Sequence, residues 1–133
     1  MKILLTGASI DKVKLDLALQ QAKAFNAEVF ILASLMVGDK KYAFDSQEMS
    51  DAEKNLAEMK MDFEAAGVPC TTEMSAQGRS PGEDIVDFAK KNQIDLIIAG
   101  VRIRSMVGKI LLGSTAQYVI LNSPCPVLTV KNK

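Results

Sequence analysis

Five apolar, β-prone runs recur along the chain, and stretches of helical period separate most of them. The runs are KILLT (2–6), EVFILAS (28–34), PCTTEMS (69–75), DLIIAG (95–100) and CPVLTV (125–130). After the first, Leu15, Ala18, Leu19, Ala22 and Phe25 fall on one side of a 3.6-residue period and predict an amphipathic helix over 11–25. A longer helix is predicted over 46–66, with Met49, Ala52, Leu56, Met59, Phe63 and Ala66 on its buried face. Gly67 then supplies the left-handed residue that ends a helix, and Val68-Pro69 forbids continuation. The methionines Met49, Met59 and Met61 are read as core filler in preference to an adaptable binding surface. Ser80-Pro81-Gly82-Glu83 reads as a helix start: serine as N-cap, proline at the first helical position, glutamate completing a capping box. Ile85, Phe88 and Ala89 carry that helix's buried face. A short helix over 114–122 is ended by Pro124, and 35–45 and 101–112 are read as loops.

EVFILAS is continuously apolar rather than alternating, as expected of a parallel strand covered on both faces. PCTTEMS alternates and is more polar, which places it at a sheet edge. The βαβαβαβαβ rhythm therefore predicts one α/β domain over 1–133, a parallel sheet with helices on both faces. Nothing in the pattern suggests a linker or an internal repeat. In such folds ligands bind beyond the carboxyl ends of the strands, where strand order reverses. The segment after the fourth strand should lie beside the tip of the first.

Composition narrows the chemistry. Sixteen basic residues balance sixteen acidic ones, so no general nucleic-acid surface and no membrane-binding face is expected. No run approaches the ~20 apolar residues that cross a bilayer, and MKILLTGAS has too short an apolar core for a signal peptide. The expected location is the cytoplasm. Histidine is absent, which removes Ser-His and Cys-His nucleophiles and imidazole metal sites. Cys70 and Cys125 form no CxxC and read as inert thiols.

The stretch GVRIRSMVGKILLGS (100–114) carries the most chemistry. Gly100 ends a strand, and Gly113-Ser114 opens a helix, whose first N–H groups and positive dipole end suit an anion. Glycine at 113 lets backbone approach a phosphate, and the Ser114 and Thr115 hydroxyls can donate to it. Arg102, Arg104 and Lys109 could add charge-assisted contacts, or could be solvated loop charges. The stretch is not a P-loop, because Ile103 and Ile110 stand where GxxxxGK(S/T) needs glycine and Ser or Thr. GASIDK has one glycine and is no GxGxxG fingerprint. With no histidine, no Walker lysine and no carboxylate pair for Mg²⁺ in view, catalysis is not the expected role.

From Gly82 to Val130 these residues resemble the universal stress protein family. Gly100, Gly113 and Ser114 match its Gly-x2-Gly-x9-Gly-Ser/Thr pattern, with Ile103 at the second glycine; Arg102, Arg104 and Ser105 match an RGRS-like stretch, and SPCPVL is typical. The KILLTGAS start and the element order extend the likeness over nearly the whole chain. The resemblance implies a doubly wound sheet of order 3-2-1-4-5, adenine nucleotide alpha hydrolase-like, in a small stress-response protein. It implies a regulatory ATP or AMP site, with Mg²⁺ accompanying ATP, and a homodimer paired through the last strand, about Pro126 to Val130. Thr6, Gly7 and Ala8 would then wall the base side, Ser34 would offer backbone to adenine, and Gly100, Arg102, Gly113, Ser114 and Thr115 would face the phosphates. LLTGAS lacks the family's acid after strand one, and Ile103 replaces a glycine. Both departures keep a second reading open, a dimeric interaction module without nucleotide; a weak nucleotide hydrolase or transferase is the remote third.

Overall fold

The computed structural model describes residues 1–34, 46–75, 80–101, 103–106 and 108–131. The predicted loop 35–45 lies outside them. The elements run β1 (Lys2–Thr6), α1 (Lys12–Phe25), β2 (Glu28–Ser34), α2 (Ser46–Ala65), β3 (Cys70–Ser75), α3 (Pro81–Lys91), β4 (Leu96–Val101), β5 (Ile103–Met106), β6 (Lys109–Leu112), α4 (Ser114–Asn122) and β7 (Val127–Lys131). Five strands form one sheet in the order β3-β2-β1-β4-β7, all neighbours parallel. This is the doubly wound 3-2-1-4-5 order, with β7 as its fifth strand. β3 is an edge strand, as its polarity suggests.

Alternate residues of the central strands feed two cores. Ile3, Leu5, Val29, Ile31, Ala33 and Ile98 pack with Ala18 and Ala22 of α1 and Leu56, Met59 and Phe63 of α2. Leu4, Leu32, Ile97 and Ala99 face the other way, onto Ile85, Val86 and Ala89 of α3 and Val119 of α4. The period-2 alternation of a strand thus serves both faces of a covered sheet.

The helix ends follow local chemistry. Asp11 caps α1, its carboxylate accepting from Val13 N at 3.0 Å and Lys14 N at 3.4 Å. Gly67 adopts φ +81 after α2, the left-handed conformation that closes a helix. Ser80 Oγ accepts from Glu83 N at 3.3 Å, with Pro81 opening α3.

Three expectations need correction. The stretch 101–112 is not a loop: β4 runs to Val101, and β5 and β6 form an antiparallel hairpin with Ile103 opposite Leu112 and Met106 opposite Lys109. Gly108, just before β6, supplies the φ of +76 that a tight hairpin turn favours. Ile103, where the family pattern has glycine, stands in extended β5, a conformation suited to a β-branched residue. Met61 is 71% exposed and does not belong to the core stripe, and Phe25 also faces solvent. Met61 lies off the arc that α2 turns to the sheet, whereas Phe25 keeps the helical phase of Ala18 and Ala22 and is exposed as the last residue of α1.

Candidate ligand site at the strand tips

The strand order reverses between β1 and β4, whose chains leave the sheet toward opposite faces: β1 feeds α1, and β4 leads through the hairpin to α4. Leu5 pairs with Ile98. Continued two residues, that register brings Gly7 level with Gly100. Both positions fall on the α1 face, and both lack a side chain. The space is filled by Lys14 from the first turn of α1. A Cβ on Gly7 would stand 3.4 Å from Lys14 Nζ, and one on Gly100 would stand 3.8 Å from Lys14 Cδ and 3.9 Å from Nζ. Gly7 also adopts φ +94, which favours glycine, and its N–H donates to Leu32 O at 2.9 Å.

Lys14 is 4% exposed, and its Nζ donates to the Thr6 carbonyl oxygen at 2.8 Å. Burial pulls its pKa below the ordinary lysine value, while Asp11 acts weakly the other way. Nothing in the residues beside it marks Lys14 as buried. A lysine one position before the Leu15 stripe reads as solvated, and only the two facing glycines could have signalled a cavity for its stem.

The predicted residues are placed as follows. Thr6 is buried and Gly7 and Ala8 are half-buried at the tip of β1. The Ala8 carbonyl accepts from Asn55 Nδ2 of α2 at 3.0 Å. Gly100 is exposed near the end of β4, while Arg102 lies outside the described residues. Gly113 is the N-cap of α4, with φ −60 and ψ 152 and no side-chain hydrogen bond capping the helix. Ser114 is exposed and Thr115 half-buried in the first turn. Uncapped N–H groups at a helix start, open at the carboxyl end of the sheet, are suited to receive an anion. A Cβ on Gly113 would meet nothing within 4 Å, and its backbone angles suit any residue, so the fold itself does not demand glycine there.

Ser34 points its hydroxyl away from this crevice. Ser34 Oγ and, at 3.2 Å, Ser75 Oγ both donate to Asp84 Oδ2, joining the tips of β2 and β3 to the start of α3. Asp84 is 3% exposed and was not foreseen as buried. It helps line a second cleft with Glu73, Ser75, Asp87, Phe88 and Lys91, where three carboxylates face one ammonium. That cleft disfavours phosphate, whereas the crevice between β1 and β4 holds a cation. Cys70 is buried and Cys125 half-buried, and both are free thiols. Among the described residues, no helix is long and apolar enough to cross a membrane.

A doubly wound α/β domain with Gly7 and Gly100 at the tips of the two strands where the order reverses defines the class of protein, and comparison with known proteins makes it specific. A sequence model described as the universal stress protein family matches residues 5–131. A universal stress protein of Methanocaldococcus jannaschii is 37% identical over 122 residues, covering 86% of this chain and 71% of that protein. The solved universal stress protein of Archaeoglobus fulgidus superposes with a TM-score of 0.79 at 26% identity, covering 98% of this chain and 93% of its own. A structure of the Archaeoglobus fulgidus universal stress protein in complex with dAMP superposes at 0.75 with 24% identity, covering 98% of each chain. The chain belongs to the universal stress protein family.

Proposed function

We propose that the protein binds an adenine nucleotide, AMP or ATP, in the crevice between the tips of β1 and β4. The observation that carries this reading is the start of α4, where Gly113 leaves the first-turn N–H groups without a side-chain cap beside the strand-order reversal. The dAMP complex of the Archaeoglobus protein, which shares the fold, supports the same ligand class. In this reading Gly100, Gly113, Ser114 and Thr115 receive the phosphates, and Thr6, Gly7 and Ala8 wall the nucleoside. Among the described residues no three carboxylate or thiol groups gather as a metal cage, so Mg²⁺ would enter on the phosphates of ATP. The ligand acts as a regulatory signal in a cytoplasmic stress-response protein rather than as a substrate.

The test is calorimetric titration with AMP and ATP, with and without Mg²⁺, after acid extraction of any carried-over nucleotide. Micromolar binding is expected. Absence of carried-over nucleotide together with no heat at millimolar ligand would leave the interaction-module reading in its place.

The protein acts as a homodimer in this reading, paired through β7. That strand is the outer edge of the sheet beyond β4, and Val127 and Leu128 remain half-buried on it. Exposed Ile120 and Leu121 of α4 lie close in sequence, Leu121 at 81%. An edge strand with unpaired backbone groups is stabilised by a symmetric partner. Light scattering at micromolar concentration should give twice the chain mass; a monomer would overturn the assembly.

A further inference from the structure

We propose that Lys14 is the residue that reads ligand charge in this crevice, restricting it to phosphorylated ligands and rejecting the corresponding nucleosides. The inference rests on the nucleotide reading above but concerns a side chain that the glycine pattern does not include.

The geometry carries it. Lys14 reaches from α1 across the tip of β1 to Gly100 of β4, filling the room that two absent side chains leave. Its Nζ therefore stands between the tips of β1 and β4, the two strands whose order reverses. An ammonium has three donors and no acceptor. Among the described residues, one of those donors is satisfied, by Thr6 O. A charge buried this far is strongly disfavoured without further partners, and a donor-only group admits only acceptors beside it. Neutral hydroxyls and amines of a nucleoside supply weak acceptors, whereas a phosphate oxygen supplies a charge-assisted one. The charge that acts on it, Asp11, has its carboxylate engaged in capping α1. The open start of α4 lies on the other side of the same strand reversal and favours the same sign of ligand charge. Burial also lowers the ammonium's proton affinity, so a bound anion would offset a penalty that the empty site carries.

The experiment titrates the full chain and its Lys14→Met and Lys14→Gln variants with AMP, adenosine and pyrophosphate. Wild type should bind AMP and pyrophosphate and discriminate strongly against adenosine. Lys14→Met should lose about tenfold to a hundredfold in AMP affinity, as expected for one charge-assisted contact, with adenosine changed by no more than about twofold. Lys14→Gln, which keeps a donor without the charge, should fall between. Urea midpoints of both variants provide the folding control, and a variant that does not fold yields to the other. Equal affinity of wild type for AMP and adenosine would overturn the proposal while leaving the nucleotide reading intact. Equal losses for both ligands in Lys14→Met would make Lys14 a structural support, and gains for both would make it a plug; either result overturns the proposal. If wild type binds neither AMP nor adenosine, the nucleotide reading fails. Pyrophosphate then decides: Lys14-dependent binding sustains the anion site, and no binding ends it.

Discussion

Gly82 of α3 lies directly against Tyr118 of α4: a Cβ at position 82 would stand 3.0 Å from Tyr118 Cβ and 3.0 Å from Cδ1. Tyr118 Cβ is anchored to the helix backbone, so it cannot swing aside as the end of a flexible chain would. Alanine is the better helix former, by up to about 1 kcal/mol. Forcing the two helices apart costs about 1–3 kcal/mol. Gly82→Ala should therefore lower stability, read as a drop in thermal midpoint, even though intrinsic propensity alone predicts a gain.

Gly113→Ala should behave differently. The fold offers open space and ordinary backbone angles at that position, so no clash arises, and the N-cap preference for glycine over alanine, set against the lost freedom of the unfolded chain, should keep the stability change within about 1 kcal/mol. A loss of AMP affinity in a variant that unfolds no earlier would tie the glycine to ligand approach. Unchanged affinity would remove Gly113 from the contact surface.

Asp84→Ala should be costly. The substitution leaves the Ser34 and Ser75 hydroxyls at the strand tips without their shared acceptor. Both hydroxyls are half-buried, so water recovers part of the loss and a cost of about 1 kcal/mol each is expected. A reduced urea midpoint is expected, with Asp84→Asn, which keeps an oxygen acceptor, retaining more stability.

Alkaline pH should separate two buried groups by sign. Burial first, and then Glu64, push the Cys70 thiol up to about 11 from 9.0, against a smaller opposing effect of Lys60. Between those values the unfolded chain gives up the thiol proton while the folded chain keeps it. Stability contributed by the protonated thiol is full below pH 9 and is lost as pH rises through about 11. Lys14 works the other way, since its lowered pKa means that below 10.5 the unfolded state holds the proton more tightly and stability rises with pH. Urea midpoints across this range, compared among wild type, Cys70→Ala and Lys14→Met, should resolve a falling and a rising component. Parallel curves for all three would refute both assignments.

Much of the fold was legible because its signals are local and repeated. The apolar runs, the Ser80-Pro81 helix start and Gly67 each act within a few residues, and the structure places them as read. The hairpin was hidden because its turn uses Gly108 without the Asn-Gly or Asp-Gly pair that marks most tight hairpin turns. Lys14 and Asp84 were hidden for a different reason. Their burial depends on partners from separate elements, with Gly7 and Gly100 flanking one and Ser34 and Ser75 binding the other. Neither arrangement leaves a mark in the residues beside them. The strand-order reversal was therefore located by topology, while buried Lys14 beside it could not be.

The position of β1 in the middle of the sheet has a consequence for biosynthesis. Ile3, Leu4 and Leu5 are fully buried, and Ile3 pairs with Leu96 on one side while Lys2 pairs with Glu28 on the other. The second side of β1 thus cannot close until β4 has left the ribosome. At ~5–20 residues per second, a greasy, half-paired edge stays open for about 5–20 s in every nascent copy. A pause in translation between α2 and β4 would prolong that interval, at the stage when the chain is most open to chaperones and to mispairing.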